Sequence, residues 1–181
     1  MQTGKDGPGV TSPEENCRDS SRVLVLGLGN ILLKDEGIGV HVVTELQKRH
    51  LPGSVQVIDG GTAGVDVLLS QEGGYKLVVI DAMKAGKEPG TIYRNRFKAN
   101  EIGRLTGIFN EKGQSKISLH QVGLIDALLV AEKTSCAPDE ITIIGVEPDE
   151  TDEGLEPTGK VRQRIPEIIN TVLEEIKDAV H

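Results

Sequence analysis

The stretch VLVLGLGNILLKDEGIGVHVVTELQKR, residues 23–49, decides the fold of this chain. Residues 23–28 form a continuous apolar run, which is typical of a strand buried on both faces of a parallel sheet. After a glycine-rich turn, a helix is predicted from about residues 35–37 to residue 49. Its apolar side chains recur at helical spacing, at Ile38, Val42 and Leu46. Strand, turn and helix make one βα unit.

The same alternation continues to the end of the chain. Further strands are predicted over residues 55–58, 77–80 and 141–146. Residues 91–96 mix polar and apolar side chains, which indicates an antiparallel strand at one edge of the sheet. Helices are predicted after Thr62, over residues 118–133 and at the C-terminus, where Pro166 starts or kinks the helix. The predicted fold class is therefore α/β: a three-layer αβα sandwich around a twisted, mostly parallel five-stranded sheet.

Length and composition indicate one globular domain. The chain has 181 residues, of which 37% are apolar, with 22 glycines. Residues 1–20 are rich in Gly, Pro, Ser and charge, so we expect a disordered leader there and a single domain over residues 21–181. Residues 99–116 are a mixed stretch with a turn signal at residues 110–113, predicted as a short helix followed by a flexible loop.

Charge and hydropathy exclude several classes of partner. The net charge of −8 and an aromatic content of 2% oppose binding to nucleic acid or to anionic membranes. Because no apolar run approaches the length of a membrane span, we expect a cytoplasmic protein. Cys17 and Cys136 match neither a zinc spacing nor a disulfide framework, so both are predicted to be free thiols.

The pair Gly27-x-Gly29 resembles the start of a dinucleotide fingerprint. Leu32 stands where the third glycine would be, and Gln47 stands where an acidic residue is expected. A nucleotide-binding, Rossmann-like oxidoreductase is therefore an alternative that the spacing disfavours. A glycine-rich turn between strand and helix explains the pair more simply.

Acidic residues follow three predicted strands: Asp35 and Glu36 the first, Asp59 the second and Asp81 the third, while His120 opens a later helix. The carboxyl ends of parallel strands meet at one edge, so these side chains can converge there. Two carboxylates and an imidazole suit a divalent ion such as Ni, Zn, Fe or Mn, with coordination positions left open.

The acidic run in the C-terminal third and two further histidines are predicted to be solvent-exposed without a functional role. The acidic run over residues 147–156 is most simply a solvated loop, although Glu147 directly follows a strand and is a candidate to line the same crevice. His41, within the first helix, and His181 carry no signal beyond surface exposure.

Five segments occur in order along the chain: VLGLGNILLKDEGIGV (25–40), DGGTAG (59–64), VVIDA (78–82), ISLHQVGL (117–124) and IIGVEP (143–148). Together they resemble the successive signatures of the nickel-iron hydrogenase maturation endopeptidases. The resemblance implies a peptidase that removes the C-terminal extension from the precursor of a hydrogenase large subunit, once that partner carries nickel. A non-catalytic nickel carrier is the other alternative.

The resemblance also implies site residues. Glu36, Asp81 and His120 would contact the metal, and Asp59 would lie beside them against the substrate, with Gly60 and Gly61 letting a peptide approach. The nickel would arrive with the precursor, although other divalent metals can occupy such a set. Whether a carboxylate or the metal activates the water stays open, and we expect a monomer. Leu119, where the family has proline, and an apparent insertion at residues 107–116 bear on substrate preference.

Overall fold

A computed structural model of the chain describes residues 22–62, 66–102, 119–134 and 136–180, with the backbone alone given for residues 119–122. Within these residues, five strands form one sheet in the order β2-β1-β3-β5-β4. The strands are β1 (Arg22–Leu28), β2 (Val55–Gly61), β3 (Tyr75–Ala82), β4 (Ile92–Lys98) and β5 (Glu140–Val146). Only β4 pairs antiparallel, at the edge beside β5. The predicted class and the antiparallel edge strand are confirmed.

The helices flank this sheet. They are α1 (Ile38–Leu46), α2 (Asp66–Leu69), α3 (Leu119–Lys133), α4 (Gly159–Arg162) and α5 (Ile165–Val180), with 3₁₀ turns at Lys34–Gly37 and Ala99–Glu101. The first helix is shorter than predicted at both ends: residues 34–37 wind as a 3₁₀ turn, and the helix ends at Leu46 and not at residue 49. Pro166 lies in the first turn of α5, where its missing N–H costs no helical hydrogen bond. The predicted leader, residues 1–20, falls outside the described residues, and so do residues 103–116 of the predicted mixed stretch; its first residues form the 3₁₀ turn at Ala99–Glu101.

Each face of the sheet carries its own apolar layer. Val78 and Ile80 of β3 belong to the layer shared with α1 and α5. Leu77 and Val79, the alternate residues of the same strand, belong to the layer shared with α2 and α3. A strand buried on both faces needs apolar side chains at every position, which explains the unbroken apolar runs in the sequence.

Cys136 is a free thiol between α3 and β5, as predicted. Cys17 lies outside the described residues. None of the helices in the described ranges has the length and apolar character to cross a membrane.

Candidate active site

The start of α1 lies directly against the carboxyl ends of β1 and β3. A Cβ atom added to Gly39 would overlap the carbonyl oxygens of Ile80 and Leu28, and one added to Gly27 would overlap the carbonyl oxygen of Gly39. Only residues without a side chain permit this approach. Gly27, the first glycine of the pair that resembled a nucleotide fingerprint, thus lets a helix pack against the strands, in line with the simpler interpretation.

Glu36 lies in the 3₁₀ turn between β1 and α1 and is partly exposed. Gly29, with φ +132°, lets the turn fold back over the strand, because a Cβ there would overlap the carbonyl oxygen of Glu36. The same turn contacts β3. The Glu36 carboxylate is therefore carried on a tightly fixed backbone beside the strand that bears Asp81.

Asp35, the neighbouring acid, is completely buried. Its Oδ2 accepts hydrogen bonds from the backbone N–H groups of Asp149 (2.9 Å) and Glu150 (3.0 Å) and from Thr158 Oγ1 (2.9 Å), while Oδ1 accepts from Thr158 N (2.7 Å). Both carboxylate oxygens of Asp35 are therefore engaged in hydrogen bonds within the protein. Of the two acids in the motif, only Glu36 is partly exposed.

Asp81 is completely buried near the carboxyl end of β3, and its Oδ1 accepts a hydrogen bond from Ala82 N at 2.8 Å. Because side chains alternate along a strand, Asp81 lies on the same face as Leu77 and Val79, which is the face covered by α2 and α3. This is the face on which His120 would have to meet it.

Asp59 is exposed near the carboxyl end of β2, where its Oδ1 accepts a hydrogen bond from Gly61 N at 2.9 Å. It pairs with Gly27, and Gly27 pairs with Ile80, so β1 separates Asp59 from β3. Two interstrand spacings, about 10 Å, therefore lie between the backbones at this level. Alternation from Val57 places Asp59 on the α1 face, so it lies at the same edge as Asp81 but on the opposite side of the sheet.

The backbone of His120 lies in the first turn of α3, while its imidazole lies outside the described part of the chain. Further along α3, Leu124 and Leu128 pack in the apolar layer that also contains Leu77 and Val79. The fold thus puts α3 on the face of Asp81. Among the described side chains, which do not include the imidazole of His120, no group of three His, Cys, Asp or Glu residues has the geometry of a metal site.

Glu147 is not solvated, contrary to the simplest interpretation of the acidic run. It is 5% exposed and accepts hydrogen bonds from Ala85 N (2.9 Å), Gly86 N (3.1 Å) and Tyr93 Oη (2.5 Å). Burial opposes its ionisation, but these donors together lower the pKa of Glu147. Burial, followed by the bond to Glu147, raises the pKa of Tyr93. Glu147 thus fixes the segment that follows Asp81.

Other parts of the acidic run are bonded to their surroundings as well, although Asp152 and Glu153 are exposed, as predicted for a solvated loop. Thr151 accepts a hydrogen bond from Lys84 Nζ at 2.9 Å, and Glu150 forms an ion pair with Lys34. Gly154 forms an isolated parallel bridge with Leu33. The edge of the sheet is therefore bordered by three interlocked segments, over residues 29–37, 83–91 and 147–158. Their connections could not be read from local sequence.

His41 is only partly exposed, and its Nε2 is buried without a hydrogen-bond partner in the described residues. The expectation of simple surface exposure was wrong. His41 borders a cavity of about 440 Å³ between α1 and the α4–α5 region, which is also lined by Thr44 and Ile169. Glu36, Asp59 and Asp81 are not among the described residues that line this cavity. His181 lies outside the described residues.

Comparison with known proteins shows to which family the chain belongs. A family model described as hydrogenase maturation protease matches residues 40–175. The hydrogenase 2 maturation protease of Escherichia coli K12 is 37% identical over 161 residues, which cover 88% of this chain and 90% of that protein. The hydrogenase expression/formation protein HupD of Bradyrhizobium diazoefficiens is 35% identical over 170 residues, covering 93% and 82%.

Solved structures agree. The hydrogenase maturating endopeptidase HybD of E. coli superimposes with a TM-score of 0.73 at 35% identity, over 87% of this chain and 93% of that one. HybD of Thermococcus kodakarensis gives a TM-score of 0.68 at 25% identity, over 86% of this chain and 99% of that one.

Fold and relatives together define an αβα peptidase, and hence a hydrolase. More narrowly, the chain belongs to the hydrogenase maturation proteases. The family that the five sequence segments resembled is confirmed, in preference to a nucleotide-binding oxidoreductase or a nickel carrier.

Proposed function

We propose that this chain removes the C-terminal extension from the precursor of a nickel-iron hydrogenase large subunit after nickel has entered that precursor. The observation that carries the proposal is the similarity to the hydrogenase 2 maturation protease, which extends over 90% of that protein at 37% identity. The nickel is part of the substrate, and its presence marks a precursor that is ready for cleavage.

Glu36, Asp81 and His120 contact the nickel of the precursor in this proposal. Three features support it: the turn carrying Glu36 contacts β3, Asp81 is on the α3 face of that strand, and the backbone of His120 lies in the first turn of α3. Two carboxylates and an imidazole also form a donor set suited to a borderline divalent ion. The set leaves coordination positions for the groups that the precursor supplies.

Asp59 contacts the substrate chain at the neighbouring strand end. The exposure of its carboxylate supports this role, whereas Gly60 is buried against Leu26 and Leu28 and does not contribute to it. Hydrolysis requires removal of a proton from the attacking water. Either a carboxylate of the site takes that proton, or the nickel of the substrate acts as a Lewis acid on the water.

The enzyme acts in the cytoplasm as a monomer, on a protein partner and without a membrane or nucleic acid. The net charge of −8 supports the exclusion of nucleic acid and of anionic membranes. Gel filtration of the purified chain tests the monomer: a dimeric mass at micromolar concentration would contradict it.

The test of function is cleavage of nickel-loaded and nickel-free precursor, followed by mass measurement of the large subunit. The wild type is expected to shorten only the nickel-loaded form. Glu36→Gln, Asp81→Asn and His120→Ala are expected to cleave at least about 100-fold more slowly, because each removes a group of the site. Glu132→Gln, an exposed acid on α3, is the matched control and should cleave normally.

Full processing by all three site variants would exclude the assignment of these residues. If the wild type cleaves neither form but purifies with stoichiometric nickel, the chain is a carrier instead. Metal analysis of the purified protein distinguishes that outcome from an inactive preparation.

A further inference from the structure

Three large apolar side chains are exposed next to the turn that carries Glu36. Ile31 is 45% exposed, Leu32 58% and Leu155 64%. We refer to these three residues as the apolar rim. Among the described residues, only Leu69 and Val130 are comparable exposed large hydrophobics, and they lie on α2 and α3. Clustered exposed apolar side chains are typical of binding surfaces, whereas scattered ones need no explanation.

The apolar rim comes from two segments that the structure joins into one surface. Gly154 N donates to Leu32 O at 2.9 Å, and Lys34 N donates to Gly154 O at 2.8 Å, so Leu155 follows directly on the backbone that is bonded to Leu32. Asp35 fixes the same two segments through its four hydrogen bonds. Because this surface is already ordered, a ligand that binds it avoids part of the entropic cost of ordering loops.

The charge around the apolar rim is negative. Asp152 and Glu153 are exposed, and neither forms an ion pair within 4 Å among the described residues; the charge of Asp152 does act on Lys34, whose ion-pair partner is Glu150. Asp149, Glu150 and Glu156 in the same loop do have cationic partners. A partner segment with basic side chains would complement the two unpaired carboxylates, and a second copy of this acidic chain would not.

We propose that the apolar rim binds the C-terminal extension of the precursor, as a segment that combines apolar and basic side chains. The inference rests on the proposed function, because it takes Glu36 as the group that contacts the nickel. Leu33 lies three residues before Glu36 in the same hydrogen-bonded turn, where Glu36 N donates to Leu33 O at 3.0 Å. Leu32 of the apolar rim directly precedes Leu33, so a segment bound at the rim would lie close to a chain held at Glu36.

The test compares steady-state cleavage of nickel-loaded precursor by Leu32→Ser, Leu155→Ser and Asp152→Lys with cleavage by the wild type. Each is expected to raise KM about fivefold to tenfold, because an apolar contact or a charge attraction is lost. The value of kcat should stay within about twofold, since uniform binding is what changes. Val130→Ser and Glu132→Lys are the matched controls. Both residues are exposed on α3, Val130 at 47%, and both variants should leave KM unchanged.

A second measurement uses a synthetic peptide with the sequence of that precursor's extension. It should inhibit the wild type and inhibit Leu32→Ser at least about fivefold more weakly. Affinity for the mature large subunit, which lacks the extension, should be the same for both proteins. A retained kcat shows that the variants are folded.

Unchanged KM in Leu32→Ser and Leu155→Ser, while the wild type cleaves normally, would overturn the docking proposal and leave the proposed function intact. Failure of the wild type to cleave any precursor would instead refute the proposed function. If the wild type dimerises and Leu32→Ser does not, the apolar rim is a self-association surface and the proposal is wrong.

Discussion

At the scale of single residues, two adjacent acids have different tasks. Asp35 is completely buried and accepts four hydrogen bonds from residues that lie 114 to 123 positions further along the chain. Glu36 is partly exposed beside β3. The first acid therefore stabilises the loops around the site, and the second is placed to contact a substrate.

Asp35→Asn should lower the free energy of unfolding by about 1–3 kcal/mol, because an amide nitrogen would face at least one backbone N–H that loses its acceptor. Glu36→Gln should change it by less than about 0.5 kcal/mol, since its carboxylate is partly exposed, while slowing processing at least about 100-fold. Denaturant unfolding of both variants checks this contrast. An Asp35→Asn protein as stable as the wild type would show that the buried hydrogen bonds contribute nothing net.

At the scale of elements, the junction of β1, β3 and α1 sets where the site lies. The start of α1 is in van der Waals contact with both strands because Gly27 and Gly39 carry no side chains there. Any separation of the helix from the sheet would also move the turn that precedes α1. Packing at this junction therefore fixes the position of Glu36 relative to Asp81.

Gly39→Ala is expected to destabilise the protein by about 1–3 kcal/mol, because the added methyl group overlaps two carbonyl oxygens of the strands. Gly53→Ala is the matched control. No atom lies within 4 Å of a Cβ there, so its stability should stay within about 0.5 kcal/mol of the wild type. Thermal unfolding with circular dichroism measures both. Equal melting temperatures for the two variants would mean that α1 can shift freely.

At the scale of the whole molecule, one buried carboxylate joins α5 to three strands. Glu175 forms ion pairs with Lys76 of β3 (2.7 Å), with Arg96 of β4 (3.0 Å) and with Arg94 of β4, and it accepts a hydrogen bond from Thr142 of β5 (3.0 Å). Burial alone would raise its pKa, but these cations lower the pKa of Glu175 to about 2.

Glu175→Gln should cost about 3 kcal/mol at neutral pH, because it removes the one buried charge that Lys76, Arg94 and Arg96 share and leaves buried Lys76 with the partly exposed Glu140 as its only ion-pair partner among the described residues. Glu174→Gln, on the exposed side of α5 and paired with Arg94 at 3.0 Å, should cost less than about 1 kcal/mol. The two variants differ only in which carboxylate of the helix becomes neutral. Denaturant unfolding of both at neutral pH makes the comparison, and similar losses would contradict it.

The contribution of Glu175 should also depend on pH. Its pKa is about 2 when folded and 4.5 ordinarily, so the unfolded state takes up the proton first as pH falls. The stabilisation is complete above pH about 5 and is lost progressively toward pH about 2. The stability difference between wild type and Glu175→Gln should therefore shrink over that range. A constant difference would show that Glu175 does not titrate with a lowered pKa.

Much of the fold could be predicted from sequence because its signals are local. Apolar runs marked the parallel strands, and the mixed pattern near Tyr93 marked the antiparallel edge strand. The acids at strand ends followed from the rule that parallel strands converge at their carboxyl ends. The assignment of Glu36, Asp81, His120 and Asp59 to the site stays a prediction.

What the sequence by itself determined was the alternation of strands and helices, the apolar faces that form the core, and the family. Only the tertiary structure decided which carboxylates are buried: Asp35, Asp81, Glu147 and Glu175 are buried and accept hydrogen bonds, while Glu36 and Asp59 reach solvent. The physical reason is the distance along the chain over which the two kinds of interaction act. Periodicity and turn residues act between neighbours in the chain, whereas the donors that surround a buried carboxylate come from segments up to 123 positions away.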